Sequence, residues 1–295
     1  MIECVPNVSE GRNRAAIDAM ADAVAASGCR VLDLHVDPDH HRSVVTFVGE
    51  EDEVFRGALA LAREATVRID LRVQQGVHPR MGAVDVIPFV PLQGATMADC
   101  VRLARRVGRA IGEWLEVPVF LYEAAATSET RRNLATIRRG QFEGLVTKLD
   151  QAEWAPDFGP RTLHPTAGAV AVGARGFLVA FNVVLGTGNL SLARGIAGTI
   201  REANGGMKGV KALGLVLASR DLVQVSMNLT DIGATSLLAA YECVEREAAA
   251  RGVSVVESEI VGLVPRAAVG GATTANLRLN RDLEGIVLEN RLASR

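Results

Sequence analysis

The stretch Val77-His78-Pro79-Arg80-Met81-Gly82-Ala83-Val84-Asp85 leads directly into the apolar run Val86-Ile87-Pro88-Phe89-Val90-Pro91. It places an imidazole, a guanidinium and a carboxylate beside a Pro and a Gly that restrict the backbone, just ahead of a predicted buried strand. Polar groups at the mouth of a rigid element are typical of a reactive loop. A single His in a loop can equally be structural, and Arg80 can equally be a surface ion-pair partner. The surrounding chain therefore has to support the functional interpretation.

The apolar run is the last strand of a predicted unit with the order β-α-β-β-α-β. Before it come a strand, an Ala-rich helix, a hairpin, and a helix with acidic residues in its first turn. We predict these elements at residues 2–8, 14–26, 29–36, 43–48, 53–69 and 85–90. This order predicts a ferredoxin-like unit, an antiparallel sheet with both helices on one face.

The same order returns in the second half of the chain. Between the halves we predict a helix, a strand, two short helical pieces, and a Gly-, Pro- and Thr-rich linker and ligand-binding segment, at residues 97–115, 117–122, 129–138, 141–149 and 154–176. The second unit is predicted at residues 177–185, 191–203, 210–217, 223–229, 235–250 and 258–264. The sequence thus predicts an α+β fold of two ferredoxin-like βαββαβ subdomains, 1–176 and 177–295, related by internal duplication, with a ligand cleft between them.

Composition indicates an ordinary globular protein without an affinity for polyanions. The chain has 295 residues, of which 48% are hydrophobic and 22% charged, and its net charge is −2. We expect neither a nucleic acid nor a membrane as a partner, but small-molecule substrates. The first residues contain an early acid and no long apolar run, which predicts a cytoplasmic protein. Four widely spaced cysteines without a CxxC pair predict buried small hydrophobic residues rather than a zinc site or disulfides.

A second polar group lies at the predicted hairpin tip, where Asp37, Asp39, His40, His41 and Arg42 follow one another closely. Two His and two Asp could ligate zinc, but adjacent imidazoles do not easily converge on one ion. Asp-Pro-Asp is also common turn chemistry. We predict no metal here, and we keep contact of Asp37, Asp39 or Arg42 with substrate as an alternative to a polar turn.

Asn7 and Asn182 end strands at equivalent positions of the two predicted units. An amide at such a position can cap the next helix or reach a ligand. The run Gly186-Thr187-Gly188-Asn189-Leu190 lacks the third Gly of a dinucleotide loop and the Lys of a P-loop, so nucleotide binding is not expected.

The chain resembles the formiminotransferase family in motifs spread over nearly its whole length. They are Glu3-Cys4-Val5-Pro6-Asn7-Val8-Ser9-Glu10-Gly11-Arg12-Asn13, Arg42-Ser43-Val44-Val45-Thr46-Phe47-Val48-Gly49, His78-Pro79-Arg80-Met81-Gly82, Trp154-Ala155-Pro156-Asp157-Phe158-Gly159-Pro160, Gly173-Ala174-Arg175, Phe177-Leu178-Val179-Ala180-Phe181-Asn182-Val183 and Gln224-Val225-Ser226-Met227-Asn228-Leu229.

The resemblance implies transfer of a formimino group from N-formimino-L-glutamate to tetrahydrofolate, which gives 5-formimidoyltetrahydrofolate and L-glutamate in histidine degradation. It implies that His78 is catalytic, that tetrahydrofolate is the co-substrate, and that the enzyme is a homodimer. It also implies a folate-binding segment, made of Gly159, Pro160, Arg161, Thr162, Leu163, His164, Pro165, Thr166, Ala167 and Gly168. The segment departs from the family at Ala167, where an aromatic residue is often found, and this departure concerns the folate affinity more than the chemistry.

The implied reaction needs a group that removes a proton from one nitrogen and delivers a proton to another. An imidazole can do both in turn, a contribution of about 10²- to 10⁴-fold. We expect His78 to do so, oriented by Asp37, Asp39 or Asp85. The candidates for binding the anionic substrate groups are Arg42, Arg80, Arg161 and Lys208.

Two alternatives are kept. A related folate-dependent one-carbon transferase could use formimino-glycine or 5-formyltetrahydrofolate with the same His78. A non-catalytic RNA-binding module is the other, but only 4% of the residues are aromatic and the net charge is negative.

Overall fold

The computed structural model describes residues 1–294 and has two β-sheets, each covered by helices, so the chain is an α+β protein. It divides into two compact units, Met1–Gly176 and Phe177–Arg295, here called the N-terminal and C-terminal units. In the described part of the chain, each helix is either too short or too polar to traverse a bilayer.

The N-terminal unit contains seven strands, six α-helices and a short 3₁₀ helix, Ala152–Trp154. The strands are β1 Ile2–Cys4, β2 Asn7–Val8, β3 Arg30–Asp37, β4 Arg42–Gly49, β5 Val84–Pro91, β6 Val119–Glu123 and β7 Val170–Ala174. The helices are α1 Arg14–Ala26, α2 Glu51–Arg68, α3 Met97–Trp114, α4 Glu129–Arg132, α5 Leu134–Ile137 and α6 Gln141–Leu149. Across the sheet, β3 pairs with β4, β4 pairs with both β1 and β2, and these two pair with β5.

The first strand, predicted as one element at residues 2–8, is split into β1 and β2. Pro6 lies at the break because a proline has no N–H to give to the sheet. The neighbours still hold the segment, since the Val45 N–H donates to the Pro6 carbonyl at 3.1 Å and the Val5 N–H donates to the Pro88 carbonyl at 3.2 Å. Asn7 is therefore fixed in the middle of the sheet, between β4 and β5.

The prediction that residues 154–176 form a linker is wrong in its last part. Val170–Ala174 is the buried strand β7, which runs parallel to β5 on one side and to β6 on the other. A Cβ atom at Gly173 would lie 2.5 Å from the Tyr122 ring, so this glycine permits close packing rather than flexibility. The sheet is consequently mixed, with an antiparallel part and a parallel extension, and not wholly antiparallel as predicted.

The core of the N-terminal unit lies largely between the sheet and the helices α1, α2 and α3. The longer helices begin at capping residues: the Asn13 side chain accepts the Ala16 N–H, and Thr96 with Asp99 forms a capping box at α3. Phe47 and Phe89, on neighbouring parts of the sheet, are fully buried in this core. Burial of such a side chain contributes about 1.5–3 kcal/mol.

The C-terminal unit has one antiparallel sheet in the order β11-β8-β10-β9. Its strands are β8 Val179–Leu185, β9 Val210–Leu217, β10 Leu222–Leu229 and β11 Val255–Val261. Its helices are α7 Leu190–Ile200, α8 Leu237–Ala249, α9 Arg266–Val269 and α10 Leu288–Ala293. The last strand, predicted at residues 258–264, begins earlier because Val255 already pairs with Leu185, ahead of a bulge at Glu257. It ends earlier because Gly262, at a φ of 77°, turns the chain.

Candidate active site

The polar groups singled out in the sequence meet where two loops pack against the β3–β4 hairpin tip. The loop after β2 comes so close that a Cβ atom at Gly11 would lie 2.2 Å from the Asp37 carbonyl oxygen. From the loop before β5, a Cβ atom at Gly76 would lie 2.3 Å from the His40 carbonyl oxygen. Two glycines thus allow three backbone segments to approach closely, which gathers their side chains in one place.

Asp85 is the buried centre of this cluster, with 1% of its surface exposed. One carboxylate oxygen accepts the Met81 N–H at 2.9 Å. The other accepts hydrogen bonds from the guanidinium groups of Arg42, at 3.3 Å, and of Arg138. Burial lowers the pKa of Arg42 to about 10, and the nearby Asp85 carboxylate opposes that shift, so Arg42 stays charged at neutral pH.

His78 lies at the partly exposed edge of the cluster, against the Arg42 guanidinium. With its proton on Nδ1, the ring donates to the Pro79 carbonyl at 2.8 Å and leaves Nε2, 3.3 Å from Arg42 Nη1, as the basic nitrogen. The same guanidinium nitrogen also contacts Nδ1. When the ring proton is on Nε2 instead, Nδ1 can accept a hydrogen bond from Arg42. Burial, and then the positive charges of Arg42 and Arg138, hold the pKa of His78 well below its usual value, so the imidazole is neutral at pH 7.

The hairpin tip supports His78 through His40. The His40 backbone N–H donates to an Asp37 carboxylate oxygen at 2.8 Å, and its ring contacts the other oxygen. The His40 and His78 rings meet edge to face with their centroids 6.0 Å apart. Burial raises the pKa of the Asp37 carboxyl, but the hydrogen bond and charge of His40 outweigh burial and hold that pKa below its usual value.

His41 has partners of its own, distinct from those of His40. Its ring nitrogens lie 3.0 Å from a Glu10 carboxylate oxygen and 2.8 Å from the Gln75 carbonyl oxygen. Asp39 is half-buried at the same tip. Across residues 1–294, no group of three or more His, Cys, Asp or Glu side chains is arranged to hold a metal ion.

Two roles were predicted for Asn7, capping of the next helix or contact with a ligand, and the capping role is wrong. Its side-chain oxygen accepts hydrogen bonds from the Arg42 guanidinium, at 2.9 Å from Nε, and its amide donates to the Val5 carbonyl at 3.0 Å. The cap of α1 is Asn13 instead. Asn7 therefore holds Arg42 from the side opposite Asp85, and its predicted contact with a ligand stays a prediction.

Asn182, at the corresponding position of the C-terminal unit, is 3% exposed and donates to a Glu259 carboxylate oxygen at 3.3 Å. The cap of α7 is Asn189, so the capping alternative is wrong here too. No observation tests the predicted contacts of Asn182 and Lys208 with substrate, nor the predicted cleft, and these remain predictions.

Arg80 is 8% exposed, and its guanidinium is already engaged within the N-terminal unit. It donates to the Gln74 side-chain oxygen at 2.8 Å and to a Glu143 carboxylate oxygen at 3.0 Å. The hydrogen bond from Arg80 holds the pKa of the Glu143 carboxyl below its usual value. In this arrangement Arg80 ties the His78 loop to helix α6, and its predicted role as a clamp for substrate stays untested.

The His78 loop is joined by its backbone to the segment predicted to bind folate. Residues 81–83 and 167–169 exchange hydrogen bonds in both directions, at 2.9 and 3.0 Å. A Cβ atom at Gly82 would lie 2.0 Å from the Ala169 carbonyl oxygen, and one at Gly168 would lie 2.3 Å from the Met81 carbonyl oxygen. The two glycines are therefore required for this close pairing of backbones.

The rest of the predicted folate segment forms an irregular loop that reaches solvent. Its exposed or half-buried members are Gly159, Pro160, Arg161, Thr162, Leu163, His164, Pro165 and Thr166. The loop is organised internally by His164, whose Nδ1 accepts the Ala167 N–H at 3.0 Å, and burial lowers the pKa of this imidazole. Arg161 makes only long contacts, 3.4 Å, to the carbonyls of Leu149 and Gln151.

Arg138 is the member of the cluster that the sequence did not reveal. It lies 53 residues from Asp85, directly after the one-turn helix α5, in a region predicted simply as helical. Its nearest signal is the Arg138-Arg139-Gly140 sequence, which combines two cations with a glycine at a φ of 90°. That pattern is more often a solvated helix end, so it could not have been assigned to the site.

Comparison with known proteins identifies both halves of the chain. Residues 1–175 match the family model "Formiminotransferase domain, N-terminal subdomain", and residues 180–291 match "Formiminotransferase domain". The chain is 44% identical over 294 residues to Glutamate formimidoyltransferase of Streptococcus pyogenes serotype M1, covering 99% of this chain and 98% of that protein. It is 45% identical over 295 residues to the Thermoplasma acidophilum protein of the same name, covering 99% and 97%.

A longer relative matches over part of its length. Formimidoyltransferase-cyclodeaminase of Rattus norvegicus is 45% identical to the chain over 272 residues, which are 90% of this chain and 50% of that protein.

Proposed function

The chain belongs to the formiminotransferase family, and we propose that it is a glutamate formimidoyltransferase that moves the formimino group of N-formimino-L-glutamate to tetrahydrofolate. The observation that carries this proposal in the structure is a neutral imidazole, His78, at the edge of a buried cluster that holds the guanidinium groups of Arg42 and Arg138. The relatives' names supply the substrates, and the geometry supplies a residue able to perform the proton transfers.

The reaction exchanges one carbon–nitrogen bond for another. A pterin nitrogen attacks the formimino carbon and forms the new bond, and the bond from that carbon to the glutamate nitrogen then breaks. The attacking nitrogen loses a proton and the departing glutamate nitrogen gains one, so no oxidant or reductant is needed. His78 takes the first proton on its basic nitrogen and returns it to the leaving nitrogen, as general base and then general acid.

A neutral imidazole is required at the start of this sequence because imidazolium cannot accept a proton. The positive charges of Arg42 and Arg138 favour the neutral ring. Asp85 pairs with both arginines, and Asp37 lies close enough to act on Arg42, so these two carboxylates balance the two positive charges.

We infer that tetrahydrofolate binds to residues 159–168. The supporting observation is that this segment shares backbone hydrogen bonds with residues 81–83, three positions after His78. Its outer residues reach solvent, while Gly168 and Ala167 are buried against the His78 loop. A ligand on this segment would lie within reach of the loop that carries the imidazole.

The direct test is turnover by the purified protein with N-formimino-L-glutamate and tetrahydrofolate, measured by the formation of 5-formimidoyltetrahydrofolate. Two alternative donors are compared: formimino-glycine with tetrahydrofolate, measured by the same product, and 5-formyltetrahydrofolate with L-glutamate as the acceptor, measured by the formation of tetrahydrofolate. We expect N-formimino-L-glutamate to give the highest kcat/KM. A higher value with either alternative donor would assign the chain to a related one-carbon transferase, and no turnover with any of the three would reject the proposal.

We further infer that residues 1–176 and 177–295 are ferredoxin-like subdomains from an internal duplication, and that the chain acts as a cytoplasmic homodimer. The antiparallel part of the first sheet has the order β3-β4-β1/β2-β5, and the second sheet, read from β9, has the order β9-β10-β8-β11, which supports the duplication. Strand β9 ends its sheet, and such an edge is a place for a second copy to cover. Sedimentation equilibrium of the full chain tests the dimer, since a monomer mass at micromolar concentration would exclude it.

A further inference from the structure

Lys148 is a buried cation whose contacts are unusual. Its side chain lies on helix α6 with 8% of the residue exposed, and its ammonium group donates to the carbonyls of Thr136 at 2.9 Å and of Arg139 at 3.3 Å. It donates to a third carbonyl, that of Ile137, at 2.5 Å, and lies 3.9 Å from the Trp154 ring centroid. Within residues 1–294 no carboxylate forms a salt bridge with it. All three N–H donors therefore serve one turn of backbone.

The turn that Lys148 binds is capped at its start by Asn133 and anchored by the fully buried Ile137, and Lys148 supports the carbonyls at its end. Helix α5, residues Leu134–Ile137, is four residues long, and an isolated helical turn of that length is not stable in water. The last carbonyls of a helix have no partner inside it. An ammonium group has three N–H donors and no acceptor, so it can donate to several of these carbonyls at once, and Lys148 does so here.

This turn carries Arg138, which lies between two of the residues whose carbonyls Lys148 binds. The Arg138 guanidinium donates to the same Asp85 oxygen that accepts from Arg42. Arg42 in turn contacts His78. A continuous set of contacts thus runs from the Lys148 ammonium through the turn, Arg138, Asp85 and Arg42 to the imidazole.

We propose that Lys148 is a positioning residue for the reaction, which holds the Thr136–Arg139 turn in the form that places Arg138 on Asp85. It touches neither the imidazole nor the groups around it. Lys148 acts on the chemistry indirectly, because it fixes the position of the Arg138 guanidinium, and so of its positive charge, relative to His78. Without that ammonium group, the end of the turn loses three hydrogen bonds, and the backbone that carries Arg138 is free to shift relative to Asp85.

The charges that face the imidazole give the expected direction of the effect. They are Arg42 from β4, Arg138 from the turn after α5, and His40 from the hairpin tip, while Asp85 acts through both arginines. After burial, the positive charges lower the pKa of His78 below its usual 6.5. In the wild type, kcat/KM therefore falls only as the pH drops through that lowered pKa. Displacement of Arg138 removes a positive charge, raises the pKa of His78, and moves this acid limb to higher pH.

On the Lys148 side, the facing charge is Arg139, whose positive charge adds to burial and lowers the pKa of Lys148 to about 8. The ammonium form, which makes the three hydrogen bonds, is the form present below that pH. The wild type is therefore expected to lose the support of the turn as the pH rises through about 8, whereas a variant without this amine has no such transition.

The test compares Lys148→Met, Lys148→Arg and the matched control Arg132→Met in the full chain. Arg132 is an exposed cation of helix α4 whose partner is Glu129, outside the turn. The kinetic measurement rests on the proposed function. A second measurement does not require turnover: NMR titration of the His78 ring in the uniformly ¹⁵N-labelled protein. This titration reports the inference even if the wild type fails to turn over the proposed substrates, so the two failures are distinguishable.

We expect Lys148→Met to raise the titration midpoint of His78, to move the acid limb of kcat/KM by the same amount, and to lower kcat roughly 10- to 100-fold, with a smaller change of KM. Lys148→Arg, which keeps a cation with several donors, should restore most of kcat, and Arg132→Met should match the wild type. In an Arg138→Met background, Lys148→Met should add no further shift of the midpoint.

An unchanged His78 midpoint and kcat in Lys148→Met, with only the melting temperature lowered, would overturn the proposal. If Lys148→Met does not fold, Lys148→Gln, whose amide can keep two of the donors without the charge, is judged by the same two outcomes.

Discussion

In both the N-terminal and the C-terminal unit, the first strand lies between a hairpin and the last strand. The two units differ in how deeply the charged residues at the hairpin tip are buried. In the N-terminal unit, Arg42 at the tip is buried against Asp85 and His78. In the C-terminal unit, the tip carries Arg220, which pairs with Glu257 while 40% and 31% of the two side chains remain exposed. One tip is a buried charged cluster, and the other is a surface ion pair.

The difference arises from the loops rather than from the strands. Gly11 and Gly76 let two loops cover the first tip, with Cβ contacts of 2.2 and 2.3 Å, whereas a Cβ atom at Gly188, beside the second tip, would lie 3.3 Å from the Asp221 carbonyl oxygen, a contact that a small shift relieves. Because a charge that is taken out of water interacts more strongly with its neighbours, the covered tip is where a pKa can be shifted. The two sheets thus share a strand order but differ in whether the hairpin tip is shielded from water.

The largest expected effect is the loss of the imidazole at the covered tip. His78→Ala should fold normally, since the side chain lies at the edge of the cluster, and should lower kcat by about 10²- to 10⁴-fold because the proton transfers lose their carrier. Steady-state turnover with N-formimino-L-glutamate and tetrahydrofolate measures this, with a thermal melt as the check on folding. Turnover near that of the wild type would remove His78 from its role.

The second effect is on stability, at the carboxylate beneath the imidazole. Asp85→Asn removes the negative charge between Arg42 and Arg138, and an unpaired buried charge of this kind costs roughly 3–5 kcal/mol. Urea unfolding followed by circular dichroism measures the loss. A change below about 1 kcal/mol would show that the cluster behaves like an exposed ion pair, and the contrast between the two tips would disappear.

A third, smaller effect concerns the backbone pairing of the His78 loop. Gly82→Ala forces a methyl group onto the Ala169 carbonyl oxygen, and such overpacking costs about 1–3 kcal/mol. It should also raise the KM for tetrahydrofolate, because residues 167–169 must move. The matched control is Gly195→Ala in helix α7, where no atom lies within 4 Å of the new methyl group, and which should stabilise by about 1 kcal/mol. Equal melting temperatures of the two variants would contradict the required close contact.

The smallest effect is expected at the exposed tip. Arg220→Met breaks the Arg220–Glu257 pair, and exposed pairs contribute about 0–1 kcal/mol. We therefore expect a urea midpoint close to that of the wild type and an unchanged kcat. A loss as large as that of Asp85→Asn would mean that the second tip is also a structural centre.

Sequence patterns were most informative for elements with a clear period and clear ends. Helix α1 was predicted at its observed bounds, because its apolar residues recur at helical spacing and Gly28 follows it. The two misses have opposite causes: the strand predicted at residues 2–8 was continued through Pro6, although a proline interrupts strand pairing, and β7 was missed because glycine and proline were taken as signs of a loop. In the structure Gly173 instead makes room for the Tyr122 ring. Whether a glycine bends the chain or admits a neighbour depends on what packs against it.

The amino-acid sequence alone determined the α+β class, the repeated order of elements and the family, since these depend on local patterns and on motifs along the chain, and its resemblance to the family led us to propose His78 as the catalytic residue. The partners of His78 were decided by the tertiary structure. Arg138 and Asp85 are far apart in sequence, and burial turned an ordinary aspartate and two arginines into a cluster that keeps an imidazole neutral. Electrostatic interactions depend on distance and on the exclusion of water, and folding sets both.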